Sequence, residues 1–119
     1  MTHSVALRRQ AERRERLALA KAFADHLADL DVQAVVVFGS VARGDFNVWS
    51  DIDVLVVADG VPEQWLDRLS LLSERAPPGV SALAWTSAEW FHELGRHNPI
   101  ATEALESGVV VRGALPASQ

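Results

Sequence analysis

Asp51 and Asp53 stand at spacing i and i+2 at the head of an apolar run, Asp51-Ile52-Asp53-Val54-Leu55-Val56-Val57. On an extended strand that spacing turns both carboxylates to one face. Two like charges beside a core need a cation or a donor to compensate them. Carboxylate oxygens suit Mg²⁺, which also takes water and phosphate oxygens. A solvated strand end would account for the same pair. Upstream, Gly39-Ser40 closes another apolar run. A strand, a sharp Gly turn and a helix capped by Ser40 would offer backbone amides, a hydroxyl and close backbone approach to a phosphate. Arg43 follows about one helical turn later, in reach of the same phosphates, and Gly44 frees the chain to leave the helix. Each piece alone is more often structural. Together they make a phosphate cradle, a cation and a paired-carboxylate site.

The elements that must position these residues are legible in the pattern. Residues 4–30 lack Gly and Pro, and Leu17, Ala20, Ala24 and Leu27 recur at helical spacing, which predicts a long amphipathic helix. Its first turns carry few large apolar residues and are expected to project. Residues 33–38 (QAVVVF) form a continuous β-branched and aromatic run, which predicts a strand buried on both faces. A short helix over 40–43, a loop over 44–50 and a second strand over 51–57 follow. Pro62 is expected in the first turn of a helix to about Arg75, with Trp65, Leu69 and Leu72 facing inward. Residues 80–86 (VSALAWT) read as a third strand. Ser87 is expected to cap a helix through Leu94, with Trp90, Phe91 and Leu94 inward. A helix over 100–106, a C-cap at Gly108 and a short strand over 109–112 complete the order. This predicts an α/β (α+β) domain: a small mixed sheet of three to four strands with helices packed mainly on one face. One domain fills 1–119, with its core at about 17–113 and a frayed tail at 114–119.

The string Phe38-Gly39-Ser40-Val41-Ala42-Arg43-Gly44 followed by Ser50-Asp51-Ile52-Asp53 resembles the signature of the DNA polymerase beta-like nucleotidyltransferase superfamily. The size and the ending, Asn98-Pro99-Ile100 to Glu106-Ser107-Gly108-Val109-Val110, resemble its minimal nucleotidyltransferases. The resemblance implies the nucleotidyltransferase fold and transfer of a nucleoside monophosphate, AMP from ATP for choice, to a hydroxyl. It implies that Gly39, Ser40, Arg43 and Ser50 bind nucleotide, and that Asp51 and Asp53 are catalytic and bind Mg²⁺ in a two-metal site. Such domains often pair with a HEPN-type toxin as antitoxins, which makes a partner-protein hydroxyl the implied acceptor. The family usually adds a third carboxylate from the next strand. Here that place reads Val80-Ser81-Ala82, and a serine supplies neither charge nor a good base. The alternative is therefore an impaired nucleotide- and metal-binding module that acts by protein–protein contact.

Composition narrows the classes. Apolar residues make up 49% and charged residues 23% of 119, so one packed domain is expected. The net charge of −5 gives no strong case for duplex nucleic acid, which binds through phosphate neutralisation. Arg8, Arg9, Arg13, Arg14, Arg16 and Lys21 crowd the start and read first as a solvated helix face. No cysteine is present, which excludes disulfides and thiolate chemistry and fits a cytoplasmic protein. No apolar run is long enough for a membrane span. A homodimer through the long first helix is left open. Glu89 is read as a surface residue of the helix after the third strand, His92 and His97 as non-ligands, and Trp65, Trp85 and Trp90 as packing residues. Trp49, in the loop before Asp51, is the indole placed to meet a base or a partner.

Overall fold

The continuous valine run demands a strand with cover on both sides, and the molecule is built around that demand. The computed structural model describes residues 2–117. In chain order these form α1 (Thr2–Asp25), a 3₁₀ turn (Ala28–Leu30), β1 (Val32–Phe38), α2 (Gly39–Arg43), β2 (Ile52–Ala58) and α3 (Trp65–Arg75). β3 (Val80–Trp85), α4 (Ser87–Gly95), α5 (Pro99–Ser107) and β4 (Val109–Gly113) follow. The four strands make one mixed sheet in the order β3-β2-β1-β4. β1 pairs antiparallel with both β2 and β4, and β2 pairs parallel with β3.

Alternate strand residues point to opposite faces, and here each face has its own core. Val35, Val37, Val54 and Val56 pack with Ala20, Phe23 and Leu27 of the α1 region and Leu72 of α3. Ala34, Val36, Leu55 and Val57 pack with Trp90 of α4 and with Ala101 and Ala104 of α5. The expectation of helices mainly on one face is therefore corrected: α1 and α3 cover one side, α4 and α5 the other. The strands carried the reason, because an apolar residue at every position of 34–38 leaves no face for water.

Other differences are local. The first helix ends at Asp25, and a 3₁₀ turn carries Leu30 back to the core before Asp31, at φ 53°, turns the chain into β1. The third helix starts at Trp65, with Gln64 in the N-cap position and no side-chain capping bond, so Pro62 lies before it. Its carbonyl instead accepts from Arg68 Nε at 3.0 Å. Arg68 is buried and also donates to the carbonyl of Ala84 (3.0 Å) and to Glu89 (2.8 Å). Thr86, not Ser87, caps α4 in a capping box with Glu89. Asn98 caps α5 with Pro99 at its start, and Gly108 is its C-cap. Within the expected tail, Leu115 packs on the α4–α5 core and Trp90 Nε1 donates to the carbonyl of Pro116 at 3.2 Å. These contacts anchor the part before Ser118 and Gln119, which lie outside the described residues.

The basic start of α1 is more than a solvated face. Arg13 donates to the carbonyls of Val41 (2.9 Å) and Ala42 (2.8 Å) at the end of α2. Arg9 donates to the carbonyl of Phe46, and the guanidiniums of Arg9 and Arg16 lie 4.9 and 4.6 Å from the Phe46 ring centre. Charged hydrogen bonds and cation–π contacts thus tie α1 to the loop after α2.

Candidate active site

Phe38 at the end of β1 pairs with Asp53 near the start of β2. The chain leaves β1 there and enters α2 through Gly39, at φ +75°. A Cβ on Gly39 would stand 2.3 Å from Asp53 Oδ2. The glycine is thus required twice, by its backbone angle and by the carboxylate seated against its α-carbon. This contact joins the two halves of the motif, the Gly-Ser turn and the paired acids. Asp51 lies exposed just before β2, and its spacing to Asp53 sets both on the face that carries Leu55 and Val57.

The electrostatics are those of an under-compensated anionic site. Burial pushes the Asp53 carboxyl above the usual range, and the negative charges of Asp51 and Glu103 push it further, while Arg43 opposes them. Carboxylate oxygens are the donor chemistry of a hard divalent cation. Asp51 and Asp53 are the residues that fit it. Among the described residues, no cluster of three or more potential metal ligands occurs.

The register bears on the third acid. Asp53 pairs with Ser81 on the parallel neighbour β3. Both are on the same face, since Leu83 and Trp85 on β3 belong with Leu55 and Val57 on β2. Ser81 therefore occupies the position beside Asp53 from which a third carboxylate would project, and it is exposed. Glu89 is no substitute. It accepts from the Thr86 amide (2.7 Å) and from Arg68, which is the work of a cap and a buried cation's partner.

Ser40 differs from its expected role. Helix α2 begins at Gly39 with Phe38 as N-cap and no side-chain capping bond, so Ser40 is its second residue. Ser40's carbonyl accepts from Gly44 N–H at 2.8 Å. Arg43 ends the helix and reaches both Asp45 (3.3 Å) and Glu103. Ser50 is engaged in the loop turn, where its hydroxyl accepts from Asn47 N–H at 2.9 Å. The same turn, fixed by Asn47 Oδ1 and the Trp49 amide (2.8 Å), presents Trp49 at 89% exposure. Trp85 and Trp90 are buried, 6.4 Å apart, as packing residues. Trp65 is half exposed: it is the first residue of α3, and Arg68 and Leu72 take the buried positions. His92 and His97 are both exposed, and His97 holds the left-handed turn before α5 at φ 58°.

Glu103 is the residue that sequence reading misses. One of its carboxylate oxygens accepts from Gly39 N–H at 3.2 Å and from the Arg43 guanidinium. It lies on α5, far from the motif in the chain, and Ala101 and Ala104 fix that helix to the sheet. Beside it a cleft of about 530 Å³ opens between Arg43, His97, Thr102 and Glu106. A second cleft, of about 380 Å³, lies along β3 from Asp51 past Ser81 toward Leu69 and Ala76 of the α3 region.

Comparisons with known proteins identify the family and the fold. The nucleotidyltransferase domain family matches residues 19–99, and the chain belongs to that family. It is a family of transferases. Over 44 residues the chain is 39% identical to a protein of Methanocaldococcus jannaschii named as a candidate protein adenylyltransferase. That match covers 37% of this chain and 30% of the relative, so it spans under a third of the relative's length. A crystal structure of a candidate nucleotidyltransferase from Sulfolobus solfataricus superposes with a TM-score of 0.64 at 27% identity, over 86% of this chain and 84% of that one. The nucleotidyltransferase fold is shared. No helix among the described residues is long and apolar enough to cross a membrane.

Proposed function

We propose that this chain transfers a nucleoside monophosphate, AMP from ATP, to a hydroxyl, and that the acceptor is carried by a partner protein such as a HEPN-type toxin. The observation that carries the reading is the contact of the Asp53 carboxylate with the Gly39 α-carbon, which unites the phosphate turn with the paired acids. A Mg²⁺ ion held by Asp51 and Asp53 would supply charge neutralisation at the phosphates and acidify the attacking hydroxyl. The Gly39 amide, the Ser40 hydroxyl and Arg43 hold the nucleotide's phosphate oxygens, and Arg43 offsets part of their charge. The cleft beside Arg43 has the volume of a ligand pocket and takes the nucleoside. The name of the M. jannaschii relative supports a protein acceptor.

Ser81 favours a second reading, a domain that binds nucleotide and cation yet turns over slowly and acts on its partner by contact. Loss of a general base costs ~10²–10⁴-fold in rate. Incubation with labelled ATP, Mg²⁺ and the co-encoded partner separates the readings. Label on the partner that disappears in Asp51→Asn/Asp53→Asn supports transfer. No label from the wild-type chain, with partner binding retained, leaves only the second reading.

A further inference from the structure

We propose that Glu103 is a resident competitor for the phosphate site and sets the charge a ligand needs in order to enter it. This rests on the reading of Gly39 and Arg43 as phosphate-binding residues. The Glu103 carboxylate takes the Gly39 N–H and the Arg43 guanidinium together. A phosphate oxygen needs the same amide hydrogen, and the same guanidinium gives phosphates their charged hydrogen bonds. One amide hydrogen cannot serve both anions, so phosphate entry expels the carboxylate.

Two features make the exchange feasible. The backbone of Glu103 is pinned, because Ala101 and Ala104 on either side of it are buried against the sheet. Its side chain is still partly exposed and borders the 530 Å³ cleft, so a change of rotamer moves the carboxylate toward solvent. Arg43 keeps a second partner in Asp45, at 3.3 Å, and is not left without a counter-ion during the exchange. A weakly charged anion gains too little at this site to replace a carboxylate already in place. A polyphosphate with its cation gains more, through several oxygens at once. Glu103 thus acts as a specificity-determining residue that favours triphosphate over monophosphate.

Titration calorimetry of the intact chain with Mg²⁺·ATP, Mg²⁺·tripolyphosphate and AMP tests this, using the wild type, Glu103→Ala and the isosteric Glu103→Gln. Both variants are expected to bind Mg²⁺·ATP and tripolyphosphate about tenfold more tightly, with a larger relative gain for AMP. Unchanged or weaker binding in both variants overturns the competitor role and makes Glu103 a positioning residue for Arg43, while the phosphate site stands. If neither the wild type nor the variants bind either polyphosphate, and melting curves show them folded, the phosphate reading fails together with the proposal.

Discussion

At the scale of single residues, Gly39 and Ser81 have opposite kinds of consequence. Gly39 holds a positive φ under a carboxylate, and Ala there adds about 1–2 kcal/mol of backbone strain before any clash. Its methyl would also fall on Asp53 Oδ2. Gly39→Ala should lower the melting temperature and, by displacing Asp53, reduce divalent-cation affinity as well. A variant that melts earlier with unchanged cation binding would separate the turn from the acids. Ser81→Asp places a carboxylate beside Asp53, since the two positions pair across β2 and β3. Without metal this third charge should destabilise the chain at neutral pH, and Mg²⁺ should restore the melting temperature. Transfer should then rise, up to ~10²-fold if the missing group is a base. No effect of Mg²⁺ on the variant's melting would remove position 81 from the cation site. The motif residues were legible because their types and order are local in sequence. Glu103 was not, because only the packing of α5 brings it to Gly39 and Arg43.

Among the elements, α3, β3 and α4 meet at Arg68. Its charge is buried and spends its hydrogen bonds on two carbonyls and on Glu89. Glu89 feels burial, which would raise its carboxyl, but the Thr86 amide and Arg68 outweigh this and hold it below the usual range. A carboxyl lowered in the fold stabilises the fold above its unfolded titration range, and that contribution is lost as pH falls through the lowered folded value. Glu89→Gln should therefore melt below the wild type at neutral pH. The gap should close as the pH drops beneath the ordinary carboxylate range, and a gap constant with pH would refute the ionic role. Sequence pattern found these helices by their apolar stripes, yet it set Trp65 inside and overlooked Arg68. A stripe gives the direction of a face and not where the helix begins, and α3 starts late enough to leave Trp65 half exposed. The one-sided cover was an error of the same kind: the strands' continuous valines already required helices on both faces.

Across the whole molecule, the first half of α1 lies outside the matched family segment, which begins at residue 19. It is nevertheless joined to the site through Arg9 and Arg13, whose partners are carbonyls of α2 and the loop behind it. Hydrogen bonds to charged groups contribute roughly 1.5–3 kcal/mol each, less where solvent reaches them. The double variant Arg9→Ala/Arg13→Ala should lose a few degrees of thermal stability. Hydrogen exchange should quicken at the amides of 41–46 and stay slow in β1 and β2, whereas unchanged exchange over 41–46 would reduce the arginines to surface charge. The basic cluster was visible in the sequence, but its target was not, since carbonyls leave no trace in residue type. The turn that displays Trp49 has a further use. Trp85 and Trp90 emit from the interior, whereas Trp49 stands in water two residues from Asp51. Its fluorescence should be red-shifted and open to quenching by iodide, so in a chain with the half-exposed Trp65 replaced it becomes an optical reporter two residues from Asp51.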